Sequence, residues 1–242
     1  MPRDSKISPV KAPPFAICVL VFLWVATVAA QSPPAPGAPP ARFVVVLDAA
    51  HGGDDPGAHL SNGQLEKAFN LTLGYRLRSL LGARGIQVVN TRESDASVDP
   101  NRRAEIANHA NAQACLSLHA SDTGTGVHLF TSSLAAAEPA HFTAWKTAQS
   151  AFVNRSLALA GVLNSALLHA GFNVTLGRTE LPGIDSMTCP AVAVEIAPER
   201  GPDHKIISAL DDPAYQARVA EALAAALLQW RSDASRTEAA RP

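Results

Sequence analysis

The stretch FVVVLDAAHGGDDPGAHLSNGQLE, residues 43–66, decides how the chain is read. Phe43 to Leu47 contain no polar residue to alternate with, the pattern of a strand covered on both faces, as in the parallel sheets of α/β proteins. The run stops at Asp48. His51, Gly52 and Gly53 follow, and Pro56-Gly57 and Asn62-Gly63 are turn signals. In parallel sheets ligands bind where strands end at the carboxyl edge, because loops there vary while the sheet beneath stays rigid. His51 stands at such an edge. Glu66 opens the next helical pattern, so the intervening loop is predicted to fold back and bring its carboxylate toward the imidazole.

Working outward, Phe69, Leu73, Leu77, Leu80 and Leu81 recur at helical spacing over residues 66–83, closed by Gly82 and Gly85. Residues 86–90 read as a second strand. Asp99-Pro100 opens a helix over residues 101–111, with Ala104, Ile106, Ala107 and Ala110 inward. ACLSLH, residues 114–119, is a third strand that again ends in a histidine. Residues 126–131 are expected to be an edge strand, given their weaker apolar content. Residues 132–148 read as a short helix or a loop over the site, and residues 152–170 as a helix ended by Gly171. A strand is expected at 172–176, then PAVAVEI at 190–196, a buried strand with one charge near its carboxyl end. A closing helix over 214–230 and a polar tail complete the chain. Strands alternating with helices predict an α/β domain, a three-layer sandwich with a mainly parallel central sheet and helices on both faces.

The termini lie outside that domain. Arg3, Lys6 and Lys11 precede an apolar run over residues 15–30, short for a membrane span and suited to a secretory signal. The expected organisation is a signal peptide or signal anchor at 1–30, a Pro-rich linker at 31–41, the folded domain at 42–231 and a polar tail at 232–242. Either version of the signal exports the domain to a periplasmic or extracellular location, and membrane anchoring follows only if the signal is uncleaved. A formal net charge of -1 over 242 residues leaves no basic surface for phosphates, so nucleic acid is excluded as a partner. Three cysteines are too few and too irregular for a thiolate zinc site. Cys115 and Cys189 fall in apolar strand patterns and read as buried thiols, although an oxidising compartment would allow them to pair.

The chemistry-bearing residues are His51, Glu66, His119 and Glu195. In a mainly parallel sheet all four converge on one edge, as a His-His-Glu metal set with an open fourth position and a further carboxylate as general base. Glu195 stands out because a charge inside PAVAVEI must be desolvated unless it reaches a partner. Asp48, Asp54 and Asp55 read as loop-forming groups or as carboxylates that orient His51 through its other ring nitrogen.

At these residues the sequence resembles the zinc-dependent N-acetylmuramoyl-L-alanine amidases, of the type 3 catalytic domain, over about residues 42–230. LDAAHGGDDPGA is similar to that family's Asp-Pro-Gly-His-Gly-Gly opening, GQLEK to its Gly-x-x-Glu-Lys, and ACLSLHAS to its Ser-Ile-His-Ala-Asn. CPAVAVEIA is similar to Pro-Ala-Val-Leu-Val-Glu-Ile-Gly, and NRRAEIAN to an Arg-x-x-x-Ala-Asn helix with Arg103 in the Arg position. The resemblance implies that His51, Glu66 and His119 hold Zn2+, that Glu195 is the catalytic carboxylate, and that the substrate is the amide between muramic acid and L-alanine in peptidoglycan. Ala49-Ala50, Ser121 and Ala197-Pro198 depart from the family pattern and bear on loop shape. Two rivals stand beside this reading: an exported zinc peptidase acting on another peptide, and a non-catalytic cell-wall-binding module of the same fold. Some exported amidases of this type carry a helical plug over the metal; residues 132–151, interrupted by Pro139, leave little room for one, so activity without an activator is expected.

Overall fold

The computed structural model describes residues 42–137 and 144–239. The expected signal segment and linker lie outside the described residues.

Six strands form one sheet: β1 (Val44–Ala49), β2 (Gln87–Asn90), β3 (Ala114–Ala120), β4 (Val127–Ser132), β5 (Val174–Thr179) and β6 (Ala191–Ile196), in the order β2-β1-β3-β6-β4-β5. All neighbours pair in parallel except β4 with β6. The carboxyl ends of β1, β3 and β6 therefore lie side by side, and β4 starts where they finish. A small antiparallel pair, β7 (Glu199–Arg200) and β8 (Ile206–Ser208), stands apart.

Alternation along the strands divides the sheet into two faces. On one, Val45, Leu47, Leu116, Leu118, Val192 and Val194 pack under α1 (Glu66–Gly82), α3 (Val153–His169) and α4 (Pro213–Ala239), whose Leu77, Leu81, Leu163, Leu167, Leu223 and Leu227 are buried. On the other, Val46, Cys115, Ala191 and Ala193 meet α2 (Pro100–His109) and a 3₁₀ turn at Ile184–Ser186 through the small side chains of Ala104 and Ala107. Asp99 caps α2 by accepting from Asn101 N and Arg102 N at 2.9 and 3.1 Å, with Pro100 supplying the first helical position. The expected three-layer α/β sandwich is the fold observed, with its layers unequal in thickness.

Three readings are corrected. The strand expected at the edge, β4, is interior, flanked by β6 and β5. Its alternating burial arises because α3 covers Val127 and Leu129 while His128 and Phe130 face the thinner layer. The closing helix, expected to end at Trp230, continues to Ala239 through residues assigned to the polar tail. Cys115 and Cys189 are not separate thiols but a disulfide, bridging β3 to the residue pair just ahead of β6. Cys115 N donates to Pro190 O in the same step of the register, which brings the two sulfurs onto one face.

Candidate metal centre and adjoining cavity

Polarity rises toward the carboxyl edge along the thin face. β1 runs Val46 then Asp48; β3 runs Cys115, Ser117, His119; β6 runs Ala191, Ala193, Glu195. The register sets Asp48 beside Ser117 and His119 beside Glu195. His51 lies two residues beyond β1 with a left-handed φ of 64°, followed by Gly52 and Gly53, also at positive φ. Glu66 comes from the opposite layer: it begins α1 and reaches over the sheet edge.

His51, Glu66 and His119 each present one ligand atom within 4.8 Å of the others. His51 Nε2 is 3.2 Å from Glu66 Oε1, and His119 Nδ1 is 3.0 Å from the same oxygen. Glu66 is 5% exposed. Its Oε2 accepts from Ala58 N at 2.8 Å, and Oε1 from Ala120 N at 3.2 Å and Asn70 Nδ2 at 3.4 Å. Burial opposes its ionisation, yet the hydrogen bonds to His119 and to the Ala58 and Ala120 amides outweigh it and hold the carboxyl at about 2. Gly57 clears the space: a Cβ there would come within 2.6 Å of Glu66 Oε2 and 2.7 Å of the His51 ring.

Asp55 Oδ2 accepts from His51 Nδ1 at 2.8 Å, the orienting carboxylate that the sequence placed among three aspartates. That bond lowers the Asp55 pKa against a small desolvation penalty. Asp54 is exposed and takes no such part. Asp48 instead pairs with Arg103 Nη1 at 2.7 Å. Arg103 also donates to Val98 O, Ala49 O and His51 O, so its guanidinium clamps the backbone on which His51 rides. Arg92, which sequence reasoning passed over, binds Ala49 O, Ala50 O, Ser94 O and Lys67 O and ties the same turn to α1. Its signal was faint: one cation in a segment with no legible periodicity.

Glu195 lies beside His119 in the register but is partly exposed, not desolvated as the apolar run predicts. Among the described residues its carboxylate has no hydrogen-bond or ion-pair partner. A cavity of about 290 Å³ opens on the α2 side of the histidines, walled by Val98, Pro100, Leu181, Pro182, Ile184 and Met187 over a polar floor of Asp48, Arg103 and Ser117. Gln149, from the 3₁₀ helix at Trp145–Ala151, donates to Met187 O and Cys189 O and holds that wall from behind. Of the remaining histidines, the described ones lie outside the cluster.

Fold and site together define an α/β domain with two imidazoles and a carboxylate closing on one point at the sheet edge. A family model described as N-acetylmuramoyl-L-alanine amidase matches residues 45–229, and the chain belongs to that family. The germination-specific N-acetylmuramoyl-L-alanine amidase of Bacillus subtilis (strain 168) is 25% identical over 207 residues, covering 77% of this chain and 79% of that protein. The amidase AmiA of Escherichia coli (strain K12) is 40% identical over 79 residues, 33% of this chain, and the match spans only 27% of that protein. Among solved structures, the catalytic domain of the amidase CwlV from Bacillus (Paenibacillus) polymyxa var. colistinus superposes with a TM-score of 0.60 at 25% identity, over 78% of this chain and 98% of that one.

Proposed function

We propose that the chain is a zinc-dependent hydrolase of the amide bond between N-acetylmuramic acid and L-alanine in peptidoglycan, with His51, Glu66 and His119 holding the ion and Glu195 as general base. The observation that carries this reading is the convergence of His51 Nε2 and His119 Nδ1 on Glu66 Oε1. Asp55 accepts a hydrogen bond from Nδ1–H of His51, so Nε2 of that ring presents a lone pair toward a carboxylate oxygen. Such an arrangement is repulsive until a cation enters it, and two imidazoles with one carboxylate form a donor set suited to zinc with a position left for substrate or water.

Zinc held there would polarise the scissile carbonyl and acidify a water at its open position. Glu195, one strand from His119 and without a competing partner among the described residues, would accept a proton from the attacking water and deliver one to the departing amine. Its partial exposure leaves it reachable. The apolar wall from Val98 to Met187 seats the uncharged flank of the substrate and narrows the path of bulk water to the reacting centre.

The relatives named above are amidases, which supports export of this chain to the cell wall; the segment at 1–30 supplies a signal. Activity without an activator fits the short connection: only residues 133–144 separate β4 from the 3₁₀ helix that Gln149 anchors. The test is zinc analysis of the purified chain together with mass analysis of digested peptidoglycan. Release of intact stem peptides beginning with L-alanine is expected, and plain peptides should be left uncut. Cleavage of the plain peptides instead would transfer the site to a peptidase, and zinc binding with no turnover of either would leave a binding module. Deleting residues 138–143 should leave the rate within about twofold, and a tenfold rise would overturn independence from an activator.

A further inference from the structure

Glu195 has no side-chain partner among the described residues, so the place of its carboxylate is set by the backbone of β6. That strand ends just beyond it. The ladder to β3 stops at Ala120 with Ile196, and the ladder to β4 starts at Val127 with the same residue. One step further, Ala197 N donates to Gly126 O at 2.8 Å. In a hydrogen-bonded antiparallel pair the two residues exchange both backbone bonds. Here the exchange is half made: Gly126 N turns to Pro198 O at 3.3 Å, and the carbonyl of Ala197 is left out of the ladder. Ala197 is fully buried, where a carbonyl without a donor is costly. Tyr215 supplies the donor. Its hydroxyl reaches from the first turn of α4 to within 2.6 Å of Ala197 O. Asp212 sets that turn by accepting from Ala214 N at 2.9 Å, and Phe172 meets the Tyr215 ring edge-on at 5.8 Å between centroids. Burial, with Glu199 nearby, pushes the phenol well above its ordinary range, so the O–H remains a donor through neutral and mildly alkaline pH.

We propose that Tyr215 is a positioning residue: by drawing the Ala197 carbonyl out of the ladder it fixes where β6 ends, and so where Glu195 stands beside the metal centre. The inference rests on Glu195 acting as general base. Tyr215 acts on it through the backbone, at Ala197-Pro198, the step where the sequence departs from the family pattern. Without the hydroxyl, Ala197 O would recover a donor by drawing back onto Gly126 N. That restores the regular pair and carries with it the chain two residues from Glu195. A misplacement of about 1 Å far from the chemistry can lower a rate about 10²-fold; β3 and β4 still hold Glu195 on both sides, and the loss expected here is about tenfold.

The test is a double-mutant cycle on the full zinc-loaded chain, with a soluble muramyl peptide as substrate. Tyr215→Phe keeps the ring and removes only the hydroxyl. Its kcat per folded molecule should fall about tenfold, with KM and zinc content within about twofold of wild type. In a Glu195→Gln background the same change should leave the residual kcat within about twofold, because no base is left to aim. An equal loss in both backgrounds would show that Tyr215 acts elsewhere and overturn the inference. So would a kcat of Tyr215→Phe within about twofold of wild type, with or without a rise in KM. Leu163→Ala controls for stability alone: it should unfold more easily and keep its kcat. Should Tyr215→Phe melt below the assay temperature, sucrose, which favours the compact state because it is excluded from protein surfaces, restores the folded fraction, and every chain is compared in that buffer. Full activity of Glu195→Gln would remove the base and this inference with it, whereas an inactive Glu195→Gln beside an unimpaired Tyr215→Phe rejects Tyr215 alone.

Discussion

The two faces of the sheet do different work with the same strands. One is thick: three long helices press leucines onto Leu47, Leu116 and Val194. The other is thin: alanines of α2 lie close to the sheet, a disulfide replaces bulk, and the space above Ser117 and His119 stays open as a cavity. Burial of large apolar side chains stabilises by about 1.5–3 kcal/mol each, so the thick face holds the fold. The thin face is free to carry charge at its carboxyl end. Stability and chemistry are thereby separated across a single sheet, and substitutions on the two faces should fail in different ways.

The largest expected effect lies on the thin face. Glu195→Gln keeps shape but cannot take a proton, and should lower peptidoglycan turnover by about 10² to 10⁴. Zinc content and melting temperature of that same sample should stay at wild type. Metal lost together with activity would move Glu195 into the coordination shell, and full activity would remove it from the reaction.

On the thick face, Leu163 is fully buried in α3. Leu163→Ala should cost about 2–5 kcal/mol in denaturant unfolding. Zinc affinity and turnover per folded molecule should be unchanged; a comparable loss in kcat would break the separation of the faces. Replacing Cys115 and Cys189 together by alanine tests the same idea from beneath the cavity. The bond closes a loop between residues 74 apart, and its removal should cost about 2–4 kcal/mol. Because Met187 of the cavity wall stands two residues before Cys189, KM should rise more than kcat falls. A variant as stable as wild type would show the thin face to need no staple.

A smaller effect should appear on acidification of the metal-free chain. Glu66 titrates at about 2 in the fold against an ordinary 4.5. A depressed carboxyl pKa stabilises the fold fully above the ordinary value, and that contribution is lost as pH falls from about 4.5 toward 2. Glu66→Gln, compared across the same range by thermal melting, should lack this slope. An identical slope in both would place the acid sensitivity elsewhere.

Much of this was legible in the sequence, for identifiable reasons. Strands buried on both faces write themselves as unbroken apolar runs, and a residue at the end of such a run has one place to be. His51, His119 and Glu195 were placed at the sheet edge that way, Glu66 by its position at the start of the next helical pattern, and Asp55 lay within a set of three aspartates. What escaped depends on pairing between distant segments. Whether Cys115 meets Cys189 depends on β3 and β6 being neighbours, which no local pattern states. β4 looked like an edge because half-coverage of an interior strand weakens its apolar content as much as an edge does. Ser117 was overlooked because one serine in an apolar strand gains meaning only once Asp48 is seen beside it.

His51 itself carries a further consequence. A residue with a side chain in the left-handed region holds a conformation that costs of order 1–3 kcal/mol and persists only where its surroundings impose it. Here the Arg103 clamp on the His51 carbonyl and the Asp55 carboxylate on its ring impose it. The entropy of ordering that donor is therefore lost when the chain folds, not when an ion arrives, so the free energy of capture is not diminished by arranging His51.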